Sequence, residues 1–164
     1  MNDSLMIIWP LLFLGVIAFF WFNKNQSNEK PDNSQKDVTL PLRLQAYERM
    51  TLFLERLKLE NLVMRQPIDA LSIMEFQGAI LSDIRSELNH NIAQQIYISH
   101  DTWELITHAT NITMAEINTA FGASKDLGSA REVAKFVLQN QGGESAKAIS
   151  LALEQLKKEA QKLF

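Results

Sequence analysis

The chain has 164 residues, a formal charge of −3 and no cysteine. It is long enough for one domain with a real core and short for two. The missing thiols exclude disulfides, thiolate metal sites and a Cys nucleophile, and they fit a reducing compartment. From Val38 onward 13 Lys and Arg stand against 15 Asp and Glu, with no basic cluster, so nucleic acid is not expected as a partner.

The first element is Leu5 to Phe22, LMIIWPLLFLGVIAFFWF, 18 residues without a charge. As a helix it extends about 27 Å, close to the roughly 30 Å hydrocarbon layer of a bilayer. Leu5, Trp9, Phe13, Ile17, Trp21 and Phe22 are its anchor residues, with Trp21 at an interfacial position. Asp3 precedes the run in place of a basic n-region, and bulky Phe19 to Phe22 end it where a signal peptidase needs small residues. An uncleaved transmembrane helix is therefore expected. Lys24, Lys30 and Lys36 follow the run and no basic residue precedes it. By the positive-inside rule the N-terminus lies outside and the rest of the chain is cytoplasmic. In a bacterium that is single-pass insertion in the inner membrane.

Asn23 to Asp37, NKNQSNEKPDNSQKD, has nothing apolar to bury. Residues 23–38 are predicted to be a polar flexible linker, and 39–164 a helical domain. Thr39 is placed to cap a helix opening at Leu40-Pro41, because Pro is tolerated in a first turn. That helix runs on to Met64. Leu40, Leu44, Tyr47, Met50, Leu54 and Leu57 form one stripe, and Leu42, Ala46, Met50, Phe53 and Leu57 a second. Two stripes make a wide apolar face, which belongs at the centre of a bundle.

Pro67 ends that segment and Asp69 is the expected cap of the next, over about 69 to 89, with Ala70, Ile73, Met74, Gln77, Leu81, Ile84 and Leu88 on its face. His90 to Ser99, HNIAQQIYIS, has strand character at Ile96 to Ile98 but no partner strand. It is read as a helix end and an extended connector. Ser99 caps a third helix with Trp103, Ile106, Thr110, Ile117 and Phe121 inside and Gly122 at its close. Ser129 to Glu132 is a capping box for a fourth, with Val133, Phe136 and Val137 facing in. Gly142-Gly143 breaks it. The last helix, from Ser145, sets Ala146, Ile149, Leu153, Leu156, Ala160 and Leu163 at alternating steps of three and four. This is an a/d seam of about two and a half heptads. Ile149, Leu153, Leu156, Ala160 and Leu163 are its candidate interaction residues, packed in the bundle or paired with another chain.

Chemistry is weakly signalled. Glu87-x-x-His90 puts a carboxylate and an imidazole on one helical face, and Glu104 and His108 are one turn apart with His100 nearby. Di-metal bundles use two Glu-x-x-His motifs and two further Glu, whereas this chain has one motif. Glu87, His90, Glu104 and His108 are the candidate metal ligands. No G-x-S-x-G and no phosphate-binding loop is present. No cofactor is implied and no enzyme is expected.

LPLRLQAYERMTLFLER (Leu40 to Arg56), ELNHNIAQQIYIS (Glu87 to Ser99) and Trp103-Glu104-Leu105-Ile106 resemble an uncharacterised bacterial family of short, membrane-anchored helical proteins. The resemblance implies an all-α fold and transfers no activity. The sequence thus predicts one N-terminal transmembrane helix, a flexible linker and a cytoplasmic bundle of about five helices. Its expected role is a membrane-tethered structural or interaction module with a protein partner or homo-oligomer. A metal-binding enzyme or sensor is the first alternative, and a bundle that binds lipid or an apolar ligand is the second.

Overall fold

The computed structural model describes residues 18–19, 33–124, 126–139 and 143–163. Of the anchor run Leu5 to Phe22 only Ala18 and Phe19 fall among them. The predicted transmembrane helix and residues 23–32 of the linker therefore lie outside the described residues. Among the described residues no helix is long and apolar enough to cross a membrane. The chain separates after Thr39, and Leu40–Phe164 is a compact unit.

Six helices account for the described chain: α1 Asn33–Arg56, α2 Leu59–Met64, α3 Ile73–Asn91, α4 His100–Ala123, α5 Ala130–Gln139 and α6 Glu144–Gln161. Two 3-10 turns join them at Ile68–Ala70 and Ile92–Ile96, and no strand occurs among the described residues. The protein is all-α.

Helix α1 starts at Asn33, so Thr39 is inside it and not at its cap. Pro41 is inside as well. It offers no N–H to the carbonyl of Asp37, so the turns before it are held by fewer bonds than those after it. The expected single helix from Leu40 to Met64 is broken at Leu57-Lys58, where Lys58 adopts φ −59° and ψ 140°. Two side chains make the break possible. Asn61 Nδ2 donates to Glu55 O at 2.7 Å, and Arg65 Nη1 donates to Arg56 O at 2.9 Å. These carbonyls, orphaned at the end of α1, are satisfied without another helical turn. The split turns five expected helices into six, and it lets Leu57, Leu59, Leu62 and Val63 all reach the core.

Helix α3 opens at Ser72, not at Asp69. Ser72 Oγ accepts from Glu75 N at 3.3 Å and the Glu75 carboxylate accepts from Ser72 N at 2.9 Å, a complete capping box. Ile84 of the expected face is buried and Ile73, Leu81 and Leu88 pack against the core, but the stripe is centred on Phe76 and Ile80, and Ala70 and Met74 are exposed. Phe76 meets Phe121 of α4 with ring centroids 5.3 Å apart and planes tilted by 55°, a favourable aromatic arrangement. The ambiguous His90 to Ser99 segment contains the second 3-10 turn and no strand. Ser99 caps α4 as predicted, accepting from Thr102 N at 3.2 Å. Gly122 does not close α4, which ends at Ala123. There Ser124 Oγ donates to Ala120 O at 2.6 Å.

The core joins Tyr47, Met50, Phe53 and Leu54 of α1 to Ile106, Ala109 and Ile117 of α4 and to Ile149, Ala152 and Leu156 of α6, with Val133 and Val137 of α5 closing one side.

Candidate interaction surfaces

The predicted metal ligands are not brought together. Glu87 pairs with Arg56 of α1 at 2.5 Å. His90 Nδ1 lies 2.9 Å from Ser86 O, so it donates to the carbonyl one turn back in its own helix. Glu104 faces His100 Nε2 at 3.3 Å, both largely exposed, and His108 is exposed on α4. Among the described residues no group of three or more His, Asp and Glu is placed to hold a metal. The Glu-x-x-His spacing did align Glu87 and His90 on one face. A neighbouring arginine and the helix's own carbonyl then engage them separately, so the metal reading is corrected.

The most developed polar geometry was not visible in the sequence. Glu159, near the end of α6, reaches the N-terminus of α4. Its carboxylate accepts from Ser99 N at 3.3 Å, from Ser99 Oγ, from Thr102 Oγ1 at 2.5 Å and from Tyr47 Oη of α1 at 3.3 Å. Burial alone would raise the Glu159 pKa. The hydrogen bonds from Ser99, Thr102 and Tyr47 together outweigh it and hold the carboxyl below the usual range. At the other end of the pair Glu116 of α4 accepts from Ser145 N at 2.9 Å, at the N-terminus of α6. The contacts Thr102–Glu159 and Glu116–Ser145 show that α4 and α6 are antiparallel. Each helix supplies a carboxylate to the other's positive end. Gly143 belongs to the same arrangement, since a Cβ there would overlap the Glu116 carboxylate.

The predicted seam of α6 faces inward. Ile149 and Leu156 are buried, and Leu153, Ala160 and Leu163 are partly buried against the same core.

A family profile covers residues 1–163, which includes the apolar Leu5 to Phe22 run. The chain belongs to the DUF7935 family of unknown function. No curated protein and no solved structure matches it.

What this DUF7935 member does leave on its surface is a set of large apolar side chains. Met74 is 82% exposed, Met64 78% and Ile96 73%, and Leu42, Leu52 and Ile92 are exposed as well. Met74 borders an open groove of about 630 Å³ between the Ile68–Met74 and Gly128–Arg131 segments. Asp69 and Arg131 form an ion pair across it. Asp69, the expected helix cap, is thus a groove residue. Two more carboxylates bond to residues of its wall: Glu75 caps at Ser72, and Glu132 accepts from Gly128 N at 2.8 Å. The Ser72 hydroxyl and then its N–H lower the Glu75 pKa and keep it charged. Glu132 N donates to Ser129 Oγ at 3.3 Å. Its carboxylate therefore serves Gly128, one residue before the position a capping box would use.

Proposed function

We propose that this DUF7935 chain is a membrane-tethered interaction module: Leu5 to Phe22 anchors it with the N-terminus outside, and the helical domain meets a protein partner on the cytoplasmic face of a bacterial inner membrane. The anchor is supported by 18 uncharged residues followed by lysines. The interaction role is carried by one observation. The domain closes its core and still presents Met74, 82% exposed, on the wall of an open groove, with Met64 exposed elsewhere on its surface. Exposed flexible methionines are suited to binding surfaces, because the thioether adapts to the shape opposite it.

A photo-reactive residue placed at Met74 of the full-length chain in native membranes tests the reading. One discrete adduct, absent when the same residue replaces Leu151 on α6, is the expected outcome. An identical pattern at both positions, or monomer alone, removes the interaction role.

A further inference from the structure

Arg49 organises a second surface, remote in composition from the acidic groove. Its Nε donates to Asn91 Oδ1 at 3.2 Å and its Nη2 to His90 O at 3.0 Å. Arg56, two turns later, meets Glu87. These contacts lay one row of α1 along the C-terminal end of α3, with the two helices antiparallel. The row is Leu42, Gln45, Arg49, Leu52 and Arg56, spaced by three and four residues and exposed throughout. Beyond Asn91 the chain continues into the 3-10 turn, which leaves Ile92 and Ile96 exposed before Ile98 returns to the core. Leu42 and Leu52 on the row, and Ile92 and Ile96 in the turn, are thus exposed on the two segments that the Arg49 guanidinium joins.

Charge distinguishes this surface from the groove. Glu87 neutralises Arg56, and Arg49, held by the uncharged Asn91 amide and His90 carbonyl, is left as the net charge of this face. At the groove Arg131 pairs with Asp69, and the carboxylates of Glu75 and Glu132, bonded to Ser72 N and Gly128 N of its wall, leave an acidic balance. An anionic lipid surface repels the groove and accepts the Arg49 face, whose apolar side chains can enter the headgroup boundary.

Covalent connection supplies the rest. Helix α1 is the element that follows the apolar run, and only residues 23–32 separate Phe22 from its start at Asn33. Ten residues span at most about 36 Å even when fully extended. A face held that close to a surface experiences an effective concentration in the mM range, so a small contact suffices. We infer that the face formed by Leu42, Leu52, Ile92 and Ile96 with Arg49 rests on the lipid surface, an inference that depends on the tether proposed above.

The cysteine-free chain gives a direct test. Full-length Phe13→Cys, Ile96→Cys and Met74→Cys variants, each carrying an environment-sensitive fluorophore, are reconstituted in phosphatidylcholine–phosphatidylglycerol vesicles containing brominated lipid. Loss of emission at positions 13 and 96, with emission retained at 74, is the expected result. Loss at 13 with equal emission at 96 and 74 overturns the lipid-facing assignment and leaves the tether standing. A blue shift at 96 without bromolipid quenching means that a second copy of the chain covers the face, which also overturns it. No loss at 13 refutes the tether, and a loss at 96 in that case leaves a lipid-binding face without an anchor. Circular dichroism of each labelled chain checks the fold, and retained helicity is expected at 96 and 74 because Ile96 and Met74 are solvent-exposed.

Discussion

Replacing Glu159 by Ala removes the acceptor that joins α6 to α4 and α1. Its carboxylate takes two short hydroxyl hydrogen bonds, from Ser99 Oγ and Thr102 Oγ1, and two longer ones at 3.3 Å from Ser99 N and Tyr47 Oη. Hydrogen bonds to a charged group contribute about 1.5–3 kcal/mol when well formed. Counting the two short ones at the lower end, because the site is partly solvated, gives a loss of about 2–3 kcal/mol. Thr102 is fully buried, and its hydroxyl loses the carboxylate acceptor and keeps only the 3.1 Å bond with Ser99 Oγ, which keeps the estimate from falling further. For a domain of this size the loss lowers the midpoint of thermal unfolding by roughly 6–12 °C. Glu159→Gln retains one accepting oxygen but no charge, and about half the loss is expected. The sign with pH follows from the depressed pKa. A carboxyl lowered on folding stabilises above its unfolded value, 4.5, and the contribution fades as pH falls through the folded value. The difference between wild type and Glu159→Gln, followed by circular dichroism in urea, is therefore largest near neutrality and shrinks below pH 4.5. A destabilisation under about 0.5 kcal/mol for Glu159→Ala, typical of an ordinary surface change, refutes the clasp.

The other predictions concern separate parts of the fold. Gly143→Ala forces the Glu116 carboxylate away from Ser145 N, and the lost cap is expected to cost about 1 kcal/mol by urea unfolding in spite of the entropic gain from Gly to Ala. Phe76→Ala empties the α3–α4 contact and should lower stability by about 3–5 kcal/mol, the largest effect among these variants. Arg65→Ala frees the Arg56 carbonyl and removes the two hydrogen bonds from Nε and Nη2 to Asp83 Oδ2, at 3.1 and 2.6 Å; about 1–2 kcal/mol should be lost, and hydrogen exchange should rise first in α2. Met74→Gln should leave the midpoint within about 0.5 kcal/mol of wild type, which separates loss of partner adduct from loss of fold.

The fold class was legible because helical periodicity is a local signal. The Leu40 to Leu57 stripes, apart from the exposed Leu42, the Ser99 cap and the inward face of α6 can each be read within a few turns of chain. What was misread depended on competition or on distance. Two acceptable caps stand three residues apart at Asp69 and Ser72, and only the Glu75 partner decides between them. The break at Lys58 needs Asn61 and Arg65 to satisfy carbonyls behind them, which no periodicity reports. The Glu159 and Glu116 contacts link residues 57 and 29 positions apart, at Thr102 and Ser145, beyond any local pattern. Glu87 and His90 failed in the opposite way. Their spacing was right, and Arg56 and the Ser86 carbonyl were nearer than any further ligand.

The tether is the central claim, and its most direct measurement uses the full-length chain with single cysteines in intact cells. After an alkaline wash of the membranes the chain is predicted to remain in the pellet. An impermeant maleimide is predicted to label Asn2→Cys in intact cells and Met74→Cys only after lysis. Release of the chain by the wash, or labelling of Met74→Cys in intact cells, contradicts the account.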